Sequence, residues 1–214
     1  MKLSFHGADQ GVTGSCHLID VAGKRILIDC GLYQGSKELD EENAHPFGFD
    51  AASIDMVLLT HAHLDHCGRL PLLVKRGFKG EIITTAATAE LARIVMVDSA
   101  HLQEEDARFK AKKFKNHPER LRPPLYSIID ALNAASHFGR VAVYGQPITL
   151  APGLKATFSD AGHILGSASI LLQPADGASV LFSGDLGKSE NPLLAGPTPP
   201  PHAAVVVMET TYGN

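Results

Sequence analysis

The most constraining feature of this chain is an apolar run that ends abruptly in six residues dense with metal-binding chemistry. Ile54-Asp55-Met56-Val57-Leu58-Leu59-Thr60 passes directly into His61-Ala62-His63-Leu64-Asp65-His66. A nearly continuous apolar run of this length is typical of a strand buried on both faces, which predicts a sheet covered by helices. Side chains alternate along an extended chain, so His61 and His63 project to the same side. Asp65 and His66 follow where the chain turns toward the next helix, and they can face an adjacent point. The spacing predicts two nitrogen ligands for one metal and an oxygen–nitrogen pair for a second. Zinc accepts mixed histidine and carboxylate ligands, and catalytic sites keep a position open for water.

Further ligands are expected at other strand ends. His163 lies in Ser159-Asp160-Ala161-Gly162-His163-Ile164-Leu165-Gly166-Ser167, flanked by glycines that permit tight turns. Asp185 follows the apolar stretch Ser179–Phe182 in Ser183-Gly184-Asp185. Either residue alone reads more naturally as a loop residue; taken with the hexapeptide, both read as ligands. Asp29, at the end of an earlier strand, suits a carboxylate that orients a ligand histidine.

Around these residues the pattern alternates between strand and helix. His17–Asp20 and Lys24–Asp29 predict a hairpin about Val21-Ala22-Gly23, followed by a polar, turn-prone stretch to about Ala52. Helices are predicted over Arg69–Lys75, closed by Gly77, over Ala89 to about Glu105 from Leu91, Ile94, Val95 and Leu102, and over Ser127–Phe138. Strands are predicted over Glu81–Thr85, Arg140–Tyr144, Ile148–Leu150, Leu154–Ser159, Ser167–Leu172, Ser179–Phe182 and Ala203–Met208. The sum is an α/β sandwich of packed sheets with helices outside.

Composition adds boundaries. The 214 residues fit one large domain, or one domain with a sizeable insertion, and a net charge of −4 carries no global nucleic-acid signal. Three cysteines, Cys16, Cys30 and Cys67, make no even disulfide framework and read as small buried residues of a reducing compartment. The first residues hold no signal-peptide stretch, and no segment approaches ~18 apolar residues, so a cytoplasmic protein without membrane contact is expected.

These residues, in this order, resemble the metallo-β-lactamase superfamily, and more narrowly its β-CASP branch of RNA- and DNA-processing nucleases. The narrower likeness rests on Gly77-Phe78-Lys79-Gly80 leading to Thr84-Thr85, on Ala161–Ser167, and on Glu209-Thr210-Thr211-Tyr212-Gly213-Asn214. The resemblance implies an αββα metallo-β-lactamase sandwich. Residues 1–208 would be the N-terminal part of that domain and residues 209–214 the start of the β-CASP region. It implies that His61, His63 and His163 hold one zinc, that Asp65 and His66 hold a second, and that Asp185 bridges them. Asp65 and Glu209 would serve catalysis, with Glu209 organising the leaving-group side. The implied activity is a zinc-dependent phosphodiesterase cleaving RNA, as endonuclease or 5′-exonuclease, by metal-activated hydroxide. RNA or single-stranded DNA would be the partner, with a homodimer in the full-length protein. The family's further ligand histidine and its C-terminal strands would come after Asn214. This portion alone is therefore expected to have a weakened second metal site and little activity.

Two further stretches admit readings of their own. Gly184-Asp185-Leu186-Gly187-Lys188-Ser189 partly matches a phosphate-binding loop, but Phe182 stands where the first glycine is required. Lys188 can lie near a phosphate or can be a solvated surface lysine. From Arg108 to Arg122 seven basic residues, including Lys112, Lys113 and Lys115, face one acid, Glu119, with Phe109 and Phe114 interleaved. This stretch either tracks a nucleic-acid backbone or serves solubility. The alternatives for the whole are a small-molecule hydrolase of the same fold, such as a thioesterase, and a non-catalytic β-CASP scaffold.

Overall fold

The computed structural model describes residues 1–117, 121–188 and 194–211. Two sheets pack face to face. The first begins as an antiparallel meander of β1 (Lys2–Phe5), β2 (His17–Val21) and β3 (Lys24–Ile28). It continues with β4 (Met56–Leu58), β5 (Glu81–Thr85) and β6 (Phe138–Ala142), each parallel to its neighbour. The second sheet contains β7 (Ile148–Ala151), β8 (Leu154–Asp160), β9 (Ala168–Pro174), β10 (Val180–Phe182) and β11 (Val205–Val207), antiparallel except for β10 with β11. In the β2–β3 hairpin, Ala22 and Gly23 both take positive φ, 50° and 72°, as a two-residue turn of this hand requires.

The period-two pattern of the central strands divides the core in two. Leu27, Val57 and Ile82 face a helical layer, where they meet Leu70, Leu73, Ala92, Met96 and Ala131. Their neighbours Ile26, Ile28, Met56, Leu58 and Ile83 face the second sheet, against Leu154, Phe158, Ile170, Leu172 and Phe182. The apolar run 54–60 is thus buried on both faces, with helices on one side and a sheet on the other. Among the described residues the layers run helix, sheet, sheet, three of the four expected in an αββα sandwich.

The helices are α1 (Lys37–Glu42), α2 (Leu64–Cys67), α3 (Leu70–Lys75), α4 (Ala86–Lys113) and α5 (Ile128–Ala135). Several bounds differ from those predicted. The stretch to Ala52 contains α1 and a 3₁₀ turn, Ala51–Ser53, started by the side chains of Ser36 and Asp50 accepting Leu39 and Ala52 N–H groups. Local capping, rather than apolar spacing, makes these elements. The segment between the 3₁₀ turn and His61 supplies three strand residues, because the chain must leave the ladder to present its ligands. Helix α4 runs eight residues past Glu105. Its buried face is Thr88, Ala89, Ala92, Met96, Ser99 and Ala100, while Ile94 and Leu102 point to solvent. Small residues on the inner face allow close helix packing, which a search for large apolar residues overlooks. Helix α5 ends at Ala135, and Phe138 opens β6 instead.

The parallel strands β3, β4 and β5 end on the same edge of the sandwich, as do β8 and β10 of the second sheet. The site lies on that edge.

Candidate metal centre

Each strand end contributes a different part. Beyond β4 the chain stays extended through His63, whose φ and ψ are −66° and 150°, and then turns into the four residues of α2. This separates the hexapeptide into an extended pair, His61 and His63, and a helical pair, Asp65 and His66. The close seating of α2 depends on Gly31. A Cβ there would lie 1.5 Å from the Asp65 carbonyl oxygen, so only glycine lets the two backbones touch. His163 sits in the β8–β9 loop, where its N–H donates to Ser167 Oγ at 3.0 Å. Asp185 follows β10 through Gly184, which takes a φ of 57°.

Four of these side chains converge. His61, His63, His163 and Asp185 each offer one donor atom, all within 4.8 Å of one another. His63 Nδ1 lies 3.1 Å from His61 Nε2 and 3.1 Å from His163 Nε2. Asp185 Oδ2 lies 3.7 Å from His61 Nε2 and 3.5 Å from His163 Nε2. A tetrahedral zinc with bonds of about 2.0–2.1 Å has ligand-to-ligand edges of roughly 3.3–3.4 Å. The four donors bracket that value, so the residues present fit a metal ion. Asp65 and His66 lie on the other side of Asp185. His66 Nε2 is 3.2 Å from Asp185 Oδ1 and 3.9 Å from Asp65 Oδ2.

Behind the donors is a buried carboxylate network. Asp29, 2% exposed with a φ of 59°, accepts the Thr60 N–H on Oδ1 at 2.8 Å. Its Oδ2 accepts the Thr60 hydroxyl and His66 Nδ1–H, both at 2.8 Å. Because the Thr60 hydroxyl is spent on Asp29, its oxygen is left to accept His61 Nδ1–H at 3.0 Å. His61 therefore carries its proton on Nδ1 and turns a bare Nε2 toward the centre, the tautomer a metal needs. Asp29 holds the Nδ1–H side of His66 and leaves its Nε2 facing Asp185.

Electrostatics follow the same division. Burial, helped by the neighbouring His66 and His63, holds His61 well below the usual histidine range. Burial and His163 lower His63. Burial also opposes charge on His66, but Asp29 and Asp185 outweigh it and raise the imidazole to about 10. Burial likewise works against the charged form of Asp185, and His66 outweighs it, so its carboxyl is held low. His61 and His63 are thus disposed as neutral donors, and negative charge gathers around His66.

The remaining predicted residues lie beside the four-residue cluster or apart from it. Glu209, just past β11, accepts the Leu186 N–H at 2.6 Å and the Thr211 hydroxyl at 2.7 Å, while its own N–H donates to Ser183 Oγ at 3.0 Å. Its carboxylate fastens the loop that carries Asp185. Tyr212, Gly213 and Asn214 of the same motif lie outside the described residues. Lys188 is exposed on the Asp185 loop, whereas Lys112, Lys113 and Lys115 stand at the distant end of α4. Thr60 and Ser167 were not singled out from the sequence, although each stands within a motif that was. His17 was missed as well. With Asp29, His66, Ser183, Asp185 and Glu209 it lines a cleft of ≈ 450 Å³ beside the centre.

The comparisons with known proteins agree with this geometry. The family model described as the metallo-beta-lactamase superfamily matches residues 9–210. A ribonuclease of Thermus thermophilus, TTHA0252, is 39% identical over 214 residues, covering 100% of this chain and 44% of the relative. Transcription termination factor FttA of Methanothermobacter thermautotrophicus is 32% identical, covering 100% of this chain and 32% of that protein. The cleavage and polyadenylation specificity factor 73 of Drosophila melanogaster is 30% identical, covering 97% and 28%. The chain thus spans less than half the length of these relatives. Among solved structures, a metallo-β-lactamase of Cronobacter sakazakii with a HARLDQ motif shares the fold at a TM-score of 0.52 and 24% identity, covering 89% of this chain and 62% of that one. With a family match spanning nearly every residue and a donor set gathered at the strand ends of a two-sheet sandwich, the chain belongs to the metallo-β-lactamase superfamily.

Proposed function

We propose that this chain carries the metal centre of a zinc-dependent, RNA-cleaving phosphodiesterase of the β-CASP branch. The observation that carries the reading is the Asp185 carboxylate, whose Oδ2 faces His61 and His163 while Oδ1 faces His66. One carboxylate facing two imidazole groups is suited to bridging two cations. His61, His63 and His163 would hold one zinc, Asp65 and His66 the other, and Asp185 would be shared. Zinc ions held there supply Lewis acidity to a phosphoryl oxygen and acidify water.

The chain's own residues set the geometry for that chemistry. Asp29 and Thr60 fix the tautomers of His66 and His61, and Glu209 holds the Asp185 loop in place. RNA as the substrate is supported by the names of the relatives, one a ribonuclease and another a cleavage factor. Residues 1–208 would then be the N-terminal part of the metallo-β-lactamase domain, and Glu209 would open the β-CASP region of a cytoplasmic protein.

The described residues offer the second zinc position only Asp65, His66 and the shared Asp185. Zinc titration followed by elemental analysis is therefore expected to show one tightly held ion per chain and a second held more weakly. A side-by-side assay on labelled RNA and a panel of thioesters tests the substrate class. RNA cleavage that a chelator abolishes supports the reading, and thioester turnover without RNA cleavage refutes it.

A further inference from the structure

We propose that the far end of α4 is a docking surface for single-stranded RNA, gripping the strand at a distance from the scissile phosphate. The inference rests on the reading of the metal centre as an RNA-cleaving site. Helix α4 begins at that centre: the hydroxyls of Thr85 and Thr88 donate to the Gly166 carbonyl at 2.7 and 2.8 Å, on the loop that carries His163. It then runs 28 residues, which at about 1.5 Å per residue places its last turn roughly 42 Å away.

Charge is sorted along this length. The acids of the helix, Glu90, Asp98, Glu104, Glu105 and Asp106, all precede Arg108. From Arg108 to His117 there are five cationic side chains (Arg108, Lys110, Lys112, Lys113 and Lys115) and no acid, in a chain of net charge −4. Lys110 is paired with Asp106 at 2.5 Å. Lys112 and Lys115 have no acidic partner among the described residues. Favourable interaction with the helix C-terminus accounts for cations in the last turn. It accounts neither for Lys115, beyond the helix end, nor for the aromatic ring among these charges. Phe109 is 62% exposed, with Lys113 Nζ 5.9 Å from its ring centre. A solvent-facing ring with the Lys113 ammonium beside it, in a stretch that carries further lysines, offers one surface for a base and several for phosphates, the combination that single-stranded nucleic acid recognises.

The geometry makes the surface length-selective. At ~3.4 Å per stacked nucleotide, about twelve nucleotides separate the metal centre from the tip. A 24-nucleotide strand reaches both places, and a 6-nucleotide strand does not.

The test uses the intact zinc-loaded chain and single-stranded RNAs of both lengths with an uncleavable backbone, with binding measured between 50 and 200 mM salt. The variant Lys112→Ala/Lys113→Ala/Lys115→Ala is expected to bind the 24-nucleotide strand roughly tenfold more weakly, and to flatten its log–log salt slope by about 2, from three phosphates at ~0.7 each. Binding of the 6-nucleotide strand, which can occupy either place but not both at once, should fall by less. Phe109→Ala is expected to weaken binding of the long strand at an unaltered slope. An unchanged slope in the triple variant overturns the proposal, as does an equal loss on both lengths or equally tight binding of anionic lipid vesicles. Zinc affinity measured against a competing chelator reports separately on the metal centre. If zinc is held tightly and long-strand binding is indifferent to the lysines, the docking surface alone fails.

Discussion

At the scale of single residues, Asp29 supports the centre without being one of its four converging donors. It is buried and orients one proposed ligand directly and another through Thr60. Asp29→Asn keeps the shape but cannot accept from Thr60 and His66 as a carboxylate does. Zinc affinity measured against a competing chelator should fall about 10- to 100-fold, as for outer carboxylates of other metal sites. The position of Asp29 at a strand end before Cys30-Gly31 made this role legible in the sequence. Thr60 was not legible, because a threonine closing a strand has no distinguishing pattern until its hydroxyl is seen between Asp29 and His61.

His66 gives the same cluster a pH signature. Its folded pKa, raised to about 10 by Asp29 and Asp185 against the effect of burial, lies above the ordinary value of 6.5. Such a group stabilises the fold fully below pH 6.5, and the contribution disappears as pH rises through about 10. Thermal melts of chelator-treated protein should therefore show stability falling between these values, and His66→Gln should remove that part of the slope. A slope equal to the parent's would refute the assignment.

At the scale of elements, capping decides where helices begin. Helix α5 starts with a reciprocal box: Ser127 Oγ accepts the Asp130 N–H at 3.2 Å, and Asp130 accepts the Ser127 N–H at 2.8 Å. Ser127→Ala should cost about 1 kcal/mol in chemical denaturation and leave zinc affinity untouched. That start was readable, since serine precedes an apolar periodic stretch by one residue. The end was not. Phe138 continues the apolar spacing, yet pairing with β5 draws it into β6. The same limit applies to α4, where Ile94 and Leu102 suggested a buried face and the tertiary packing chose the small residues.

At the scale of the whole molecule, the proposed ligands come from both sheets. His61, His63, Asp65 and His66 follow β4 of the first, and His163 and Asp185 follow β8 and β10 of the second. A metal ion bound among them ties the two layers together and binds only the folded chain. Zinc at a thousand times its dissociation constant should add about 4 kcal/mol, seen as a melting temperature raised by roughly 10 °C. Phe158, fully buried where the sheets meet, tests the same coupling from the core. Phe158→Ala should cost about 3–5 kcal/mol and should narrow the gap between folding and zinc loss.

The sequence by itself determined the class of fold, the strand that carries the hexapeptide, and which side chains are candidates to hold a metal. These are local properties, set by alternation along a strand and by the chemistry of histidine and aspartate. Only the tertiary structure decided which donors meet, that Asp185 faces both groups, and that Glu209 holds a loop. It also decided which face of α4 is buried and how far its basic end stands from the centre. Those are distances between segments remote in the chain, and they follow from the packing of two sheets and a helical layer, which no local pattern encodes.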